Sequence, residues 1–143
     1  YDFSNLNEAE KTEVINEYIN KKIIPNIGFT QSHLTSFIER INFNWVNFDF
    51  GKIDLQNIKN YNIKLLSKSI PLYTNESFIK KIIDINNEEI LEKCFKYKSV
   101  LKNENIMNYY MKYITDNKKE MSKQVIDYQN NIKEKQNKKR KLS

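Results

Sequence analysis

The side chains best suited to acid–base or metal chemistry are one histidine and several groups of carboxylates. His33 is the only histidine, and no cysteine cluster or H-x-x-E pair accompanies it. Glu8 and Glu10, and the acidic residues within 88–92, stand at the starts of predicted helices, where the helix dipole favours negative charge. These carboxylates are therefore explained without catalysis, and the pattern predicts no catalytic site, no metal site and no cofactor.

The sequence contains no nucleophile motif and no phosphate-binding loop that would predict an enzymatic reaction. Cys94 lies among apolar residues, which is typical of a buried small hydrophobe, and the sequence around Ser36 and Ser69 shows no motif that would supply a catalytic base. Two glycines cannot build a Gly-rich phosphate loop. We therefore expect no enzyme acting alone and no small-molecule substrate, and a non-catalytic part of a multisubunit enzyme stays open.

Basic residues near the C-terminus are the strongest functional signal. The chain carries a net charge of +6, and its end reads NKKRKLS. Such clusters are typical of phosphate contacts or nuclear import, although a solubilising end is equally compatible. The residues expected to contact nucleic-acid phosphates are Lys118, Lys119, Lys123, Lys133, Lys138, Lys139, Arg140 and Lys141.

Apolar residues recur at threes and fours in the same region, from Met107 to Ile132, with Lys118 as an interruption. This spacing predicts a long amphipathic helix with a narrow apolar seam. We expect the seam to face this domain or a partner protein. The residues assigned to partner binding are Met121, Val125, Tyr128 and Ile132.

The helices that would position these residues are indicated by caps and apolar stripes. Asn7 and Glu10 have capping-box spacing, and Thr30 is a plausible N-cap for a second helix. Thr74 or Asn75 would begin a later one, and an Asn86-Asn87 break would separate it from the next. The buried stripes predicted for the three later helices are Leu34, Phe37, Ile38 and Ile41; Phe78, Ile79, Ile82 and Ile83; and Ile90, Leu91, Cys94 and Phe95.

Between these helices, aromatic residues alternate around Trp45, and Tyr61, Ile63 and Leu65 alternate again. Alternation of aromatic and β-branched residues favours strands, so we predict a small antiparallel sheet at about residues 43–67. The Trp45 region would be a base-stacking platform or core filling. Core filling is favoured, because no other part of the chain offers equal bulk.

The expected fold class is therefore α+β, mostly helical, with that sheet flanked by helices and a long C-terminal amphipathic helix. The predicted division is a compact domain at 1–103, the amphipathic helix at 104–136 and a disordered basic tail at 137–143. No apolar run approaches the ~20 residues that span a bilayer. With one cysteine and no signal peptide, we expect an intracellular protein, and the first residue, Tyr1, suggests a piece of a longer chain.

Three segments in order resemble the N-terminal protrusion region of the second-largest subunit of multisubunit RNA polymerases: GFTQSHLTSFIERI, FGKIDL and SIPLYTNES. The resemblance covers residues 13–81. Thr74 replaces the family's Pro, and SFIKK replaces its Ala-Arg-Leu-Arg run. The family's Phe-Gly-Lys-Ile segment is a strand. The matched positions are Gly28, His33, Leu34, Ser36, Phe37, Phe50, Gly51, Lys52, Pro71, Tyr73 and Glu76.

The resemblance implies a non-catalytic lobe that braces nucleic acid and partner subunits. Together with the basic C-terminal segment, it leads us to expect a non-catalytic module of a nucleic-acid-processing assembly. Such a module would contact the nucleic-acid backbone with lysines and a partner subunit with its C-terminal helix. The alternative is a protein-protein interaction adaptor or scaffold with no nucleic-acid role, its lysine content reflecting genomic bias.

Overall fold

The computed structural model of the chain describes residues 3–24, 31–45, 48–53 and 58–142. Within these residues the regular structure is helical, and short turns join the helices. The α-helices are α1 (Glu8–Tyr18), α2 (Gln31–Ile41), α3 (Asn60–Ser67), α4 (Glu76–Ile85), α5 (Glu88–Cys94), α6 (Lys98–Leu101), α7 (Glu104–Asn117) and α8 (Lys123–Leu142).

The first helix begins as predicted. The Asn7 Oδ1 atom accepts from the Glu10 backbone N–H at 2.8 Å, and Glu10 Oε1 accepts from the Asn7 N–H at 3.1 Å, which completes the capping box. A π-helical turn at Ile19–Ile23 continues α1, and the Ile24 N–H reaches the carbonyl of Ile19 at 3.0 Å. The helical path therefore continues from α1 through Ile23.

The predicted sheet is wrong, since no strand occurs among the described residues. The segment 60–67 is α3, in which Ile63, Leu65 and Leu66 are buried. Phe50–Lys52 forms a 3-10 turn, where the family resemblance implied a strand. Short apolar runs fit both periods, and here burial of Leu66 one turn from Ile63 favoured the helix.

Aromatic packing in the 43–50 segment replaces strand pairing. Phe48 and Phe50 are buried, and their ring centroids lie 4.6 Å apart in an edge-to-face arrangement. Half-buried Trp45 packs on Phe48 at 5.5 Å, and Phe50 packs on Phe78 of α4 at 5.5 Å. Such pairs contribute about 0.5–1.5 kcal/mol beyond area burial. The expectation that this cluster fills the core is confirmed for Phe48 and Phe50.

Asn75 and Ser77 attach this segment to the start of α4. Asn75 Oδ1 accepts from the Phe78 N–H at 3.0 Å, while its amide donates to the carbonyls of Phe48 at 3.1 Å and Trp45 at 3.3 Å. Ser77 Oγ accepts from the Phe50 N–H at 2.9 Å. Asn75, which the sequence offered beside Thr74 as the cap of this helix, therefore also satisfies the backbone carbonyls of Trp45 and Phe48.

The stripes on the three later predicted helices are confirmed with one exception, Ile38, which is half-buried. The break between α4 and α5 is also confirmed: Asn86 adopts a left-handed conformation with φ 52°, and the Asn87 side chain caps α5. Thr30 and Gly28 lie outside the described residues. Local caps and 3.6-residue periodicity were therefore sufficient to locate these elements.

The long C-terminal helix was predicted over residues 104–136, but two helices occupy that region. Helix α7 ends at Asn117, Lys118 takes a left-handed conformation with φ 53°, and α8 begins at Lys123. Helix α8 continues to Leu142 and so includes most of the segment expected to be disordered. Ile106 and Tyr110 of α7 and Val125 of α8 are all buried in the core. A single straight helix would carry Val125 away from the core that Ile106 and Tyr110 enter, so the break between the two helices allows all three to be buried.

Candidate nucleic-acid interface

The base of α8 is fixed to the domain by Tyr110. Its ring is 5% exposed and packs edge-on against Phe95 with centroids 4.9 Å apart. Its hydroxyl accepts from the Ser122 backbone N–H at 2.7 Å, just before α8 begins. Burial raises the pKa of Tyr110, so the hydroxyl stays neutral at physiological pH. Together with buried Val125, these contacts determine where the helix leaves the core.

Beyond its first turns, α8 leaves the core and projects into solvent. Tyr128 and Gln129 are half-buried, whereas every residue from 130 to 137 is exposed. At 1.5 Å per residue, residues 130–142 extend for about 20 Å. Residues 130–137 are polar apart from Ile132, which is 38% exposed. A helix that is polar all round gains little from the core and is available to a partner.

The charge of the chain is concentrated in the same region. Residues 118–143 contain nine Lys and Arg and three Asp and Glu, whereas residues 1–117 contain 15 of each sign. The whole excess of +6 therefore belongs to the C-terminal segment. Because a neutral body carries a positive projecting helix, an anionic partner is attracted to α8 rather than to the domain as a whole.

The predicted phosphate contacts fall at two places. Lys118, Lys119 and Lys123 are exposed around the α7–α8 connection, and Lys133 is exposed on the projecting part of α8. The backbone of residues 138–141 lies in α8, and their side chains lie outside the described set. Sequence reasoning missed Lys135, which is exposed on the same projecting part and was visible in the Lys-rich run.

The four residues predicted to face a partner differ in how deeply they are buried. Val125 is 1% exposed and belongs to the core of this chain. Met121 and Tyr128 are half-buried, and Ile132 is exposed. Ile126, which sequence reasoning did not single out, is 41% exposed on α8. The seam therefore packs on its own domain at its start and reaches solvent only toward its end.

A cleft of about 340 Å³ lies beside the base of α8, between α5, α7 and the connection. Lys119 and Lys123 line it, but so do Glu88, Glu92 and Glu120. Carboxylates among the lysines reduce the attraction for phosphate there. The electrostatics therefore favour the projecting part of α8 over this cleft as a phosphate-contacting surface.

Other candidates for chemistry are limited by their surroundings. Cys94 is buried, and burial raises the pKa of its thiol to about 12, so the reactive thiolate is scarce at neutral pH. His33 is exposed on α2. The described residues contain no group of three His, Cys, Asp or Glu side chains arranged to hold a metal ion. In that same part of the chain, no helix has the length and apolarity to cross a membrane.

Comparisons with protein-family models, with curated proteins and with solved structures each returned no match.

Proposed function

We propose that this chain is a non-catalytic module of a nucleic-acid-processing assembly, in which α8 contacts the nucleic-acid backbone. The observation that carries the proposal is the location of the entire +6 charge excess in residues 118–143, much of it on a helix that stands clear of a neutral domain. Lysines and arginines that neutralise phosphates release condensed counterions, which supplies most of the affinity of non-specific binding. The projecting 20 Å of helix is also of a size that a DNA major groove admits.

The resemblance of residues 13–81 to the protrusion of an RNA polymerase second-largest subunit suggests the kind of assembly. Of the matched positions, Leu34, Phe37 and Phe50 are buried in the core. They would shape a bracing lobe, while contacts to nucleic acid and to a partner subunit would come from α8. In that arrangement Tyr128 and Ile132 would contact the partner subunit, because Val125 is buried in the core of its own domain.

The test is a salt series on a fluorescent 20-base-pair duplex and the matching single strand, read by anisotropy. Six basic residues lie between 133 and 141. If four to six of them contact phosphates, the slope of log K against log salt is about −4 to −5 on duplex DNA. Replacing residues 138–141 with glutamine should make that slope shallower by about 3 to 4.

The matched control replaces four exposed lysines of the domain, Lys96, Lys98, Lys102 and Lys112, with glutamine. It removes the same charge but leaves α8 intact. The slope of log K against log salt should therefore change by less than one phosphate contact contributes. Absence of binding at low salt would refute the proposal. Equal loss of slope in both variants would show that net charge, rather than α8, is what the nucleic acid recognises.

A protein-protein adaptor is the second candidate, and the exposure of Ile126 and Ile132 favours it. Apolar side chains on a solvent-facing helix can insert in a groove of another protein. Such an adaptor would bind neither the duplex nor the single strand at low salt. It would instead retain a co-purifying protein that an Ile126→Asn/Ile132→Asn double variant releases.

A further inference from the structure

A second cleft, of about 390 Å³, lies between α1, the π-helical turn and α2, in an area that the proposed function does not use. Its volume is in the range of small-molecule sites. The residues that matter to its chemistry are Glu17, Tyr18, Lys21, Lys22, Phe37 and Arg40. Lys21 and Lys22 belong to the π-helical turn, an irregularity that occurs frequently at functional sites.

Aromatic rings form one wall of this cleft. Tyr18 stacks on Phe37 with centroids 3.8 Å apart and planes at 6°, and Phe3 meets Phe37 edge-on at 5.8 Å. Phe37 is 4% exposed, so neighbouring side chains hold it in place, while half-buried Tyr18 keeps part of its surface open. A fixed, partly open aromatic wall favours planar ligands, because ring stacking contributes about 1–3 kcal/mol per nucleic-acid base.

The rim of the cleft is positive. Glu17 pairs with Lys21 at 2.6 Å, so these two charges offset each other. Lys22 and Arg40 are exposed and form no ion pair with any other residue that the structure describes. Arg40 lines the same cleft as Tyr18, and its charge opposes the rise in the Tyr18 pKa that burial causes. Two uncompensated positive charges therefore border the aromatic wall.

We propose that this cleft binds a nucleoside monophosphate group, with the base against Tyr18 and the phosphate between Lys22 and Arg40. The two cations match a phosphate monoester, which carries about −1.5 to −2 charge at pH 7, better than a singly charged carboxylate. Guanidinium can also bind phosphate through two parallel hydrogen bonds. The group can come from a free mononucleotide or from the 5′-phosphorylated end of a single strand.

The experiment is calorimetric titration of the full chain with AMP, adenosine and ribose 5-phosphate at millimolar concentration. AMP should bind at least tenfold more tightly than either part alone, because only AMP uses both the aromatic wall and the cations. Lys22→Gln and Arg40→Gln should each weaken AMP binding about tenfold and leave adenosine binding unchanged. Tyr18→Leu should weaken AMP and adenosine alike. Lys112→Gln, which removes an exposed charge from α7, is the control and should change neither.

A hexanucleotide with and without a 5′-phosphate separates the two sources. In the 138–141 glutamine variant, which removes most of the phosphate contacts proposed for α8, tighter binding of the phosphorylated strand than of both AMP and the unphosphorylated strand assigns the cleft to strand ends, and tightest binding of AMP assigns it to free nucleotides. No AMP binding, equal binding of ribose 5-phosphate, or unchanged AMP binding in the Lys22→Gln/Arg40→Gln double variant would overturn the proposal. At least tenfold tighter binding of a phosphotyrosine peptide would overturn the nucleotide assignment. Loss of AMP binding in the 138–141 glutamine variant would place the site on α8 and also overturn it.

Discussion

Replacement of Asn75 by alanine tests how the irregular aromatic segment is attached to the helices. The variant loses the cap of α4, which contributes about 1 kcal/mol. It also loses two amide donations to the Phe48 and Trp45 carbonyls, each contributing about 1 kcal/mol. Neither carbonyl is left unsatisfied, because the Phe48 N–H donates to the Trp45 carbonyl at 3.3 Å. The single Ser77 hydroxyl proton, which can reach Asn75 Oδ1 at 2.7 Å or the Phe48 carbonyl at 3.1 Å, has only the carbonyl left in the variant. The expected loss is therefore about 3 kcal/mol.

Asn103 provides the matched control. Its side chain caps α7 by accepting from the Ile106 N–H at 3.1 Å, and it makes no other side-chain hydrogen bond with the residues that the structure describes. Asn103→Ala should therefore cost about 1 kcal/mol. In urea unfolding with a slope of about 2 kcal/mol/M, the midpoint should fall by about 1.5 M for Asn75→Ala and about 0.5 M for Asn103→Ala.

Asn75→Asp separates the cap from the donations. An aspartate keeps an acceptor for the Phe78 N–H but cannot donate to the two carbonyls when ionised, so it should still cost about 2 kcal/mol. Equal midpoints for Asn75→Ala and Asn103→Ala, at unchanged slope, would refute the reasoning. That result would mean that ring packing alone holds the 45–50 segment.

Two further predictions concern buried side chains of the later helices. Because burial raises the pKa of Cys94 from 9.0 to about 12, the unfolded chain loses this proton first, and stability should fall by about 1.4 kcal/mol per pH unit above pH 9. Cys94→Ala should remove that part of the decline in urea midpoints, and parallel wild-type and variant profiles would contradict it. Val125→Ala should cost about 2 kcal/mol because Val125 is buried, whereas Ile132→Ala should change the free energy of unfolding by at most about 0.5 kcal/mol. The reverse order in thermal or urea unfolding would show that α8 is anchored elsewhere.

The parts of the fold that could be predicted are those set by neighbours in sequence. The capping box of α1, the Asn75 cap and the buried stripe of α4 depend on side chains three or four residues apart, and such spacing is visible without a structure. The false sheet arose where local signals were ambiguous. Alternation of Tyr61, Ile63 and Leu65 also fits a short helix, and α3 forms because Ile63 and Leu66 then face the core together.

The candidate sites also combine features that the sequence predicts with features that depend on packing between distant segments. The basic C-terminal residues and their helical setting are readable directly, but the burial of Val125 within its own domain is not. The cleft between α1 and α2 gave no signal in sequence, since Tyr18, Lys22 and Arg40 are brought together only when the two helices pack. No spacing rule relates residues on different helices.

The sequence by itself therefore determined the starts of α1, α4, α5 and α7, the main apolar stripes and the location of the charge, because each depends on short-range spacing or on composition. Tertiary packing decided the conformation of the aromatic segment, the break between α7 and α8, and which apolar residues of α8 reach solvent. The physical reason is that burial is a property of contacts between distant segments. Phe48, Phe50 and Phe78 stabilise an irregular segment that β-propensity alone assigns to a sheet.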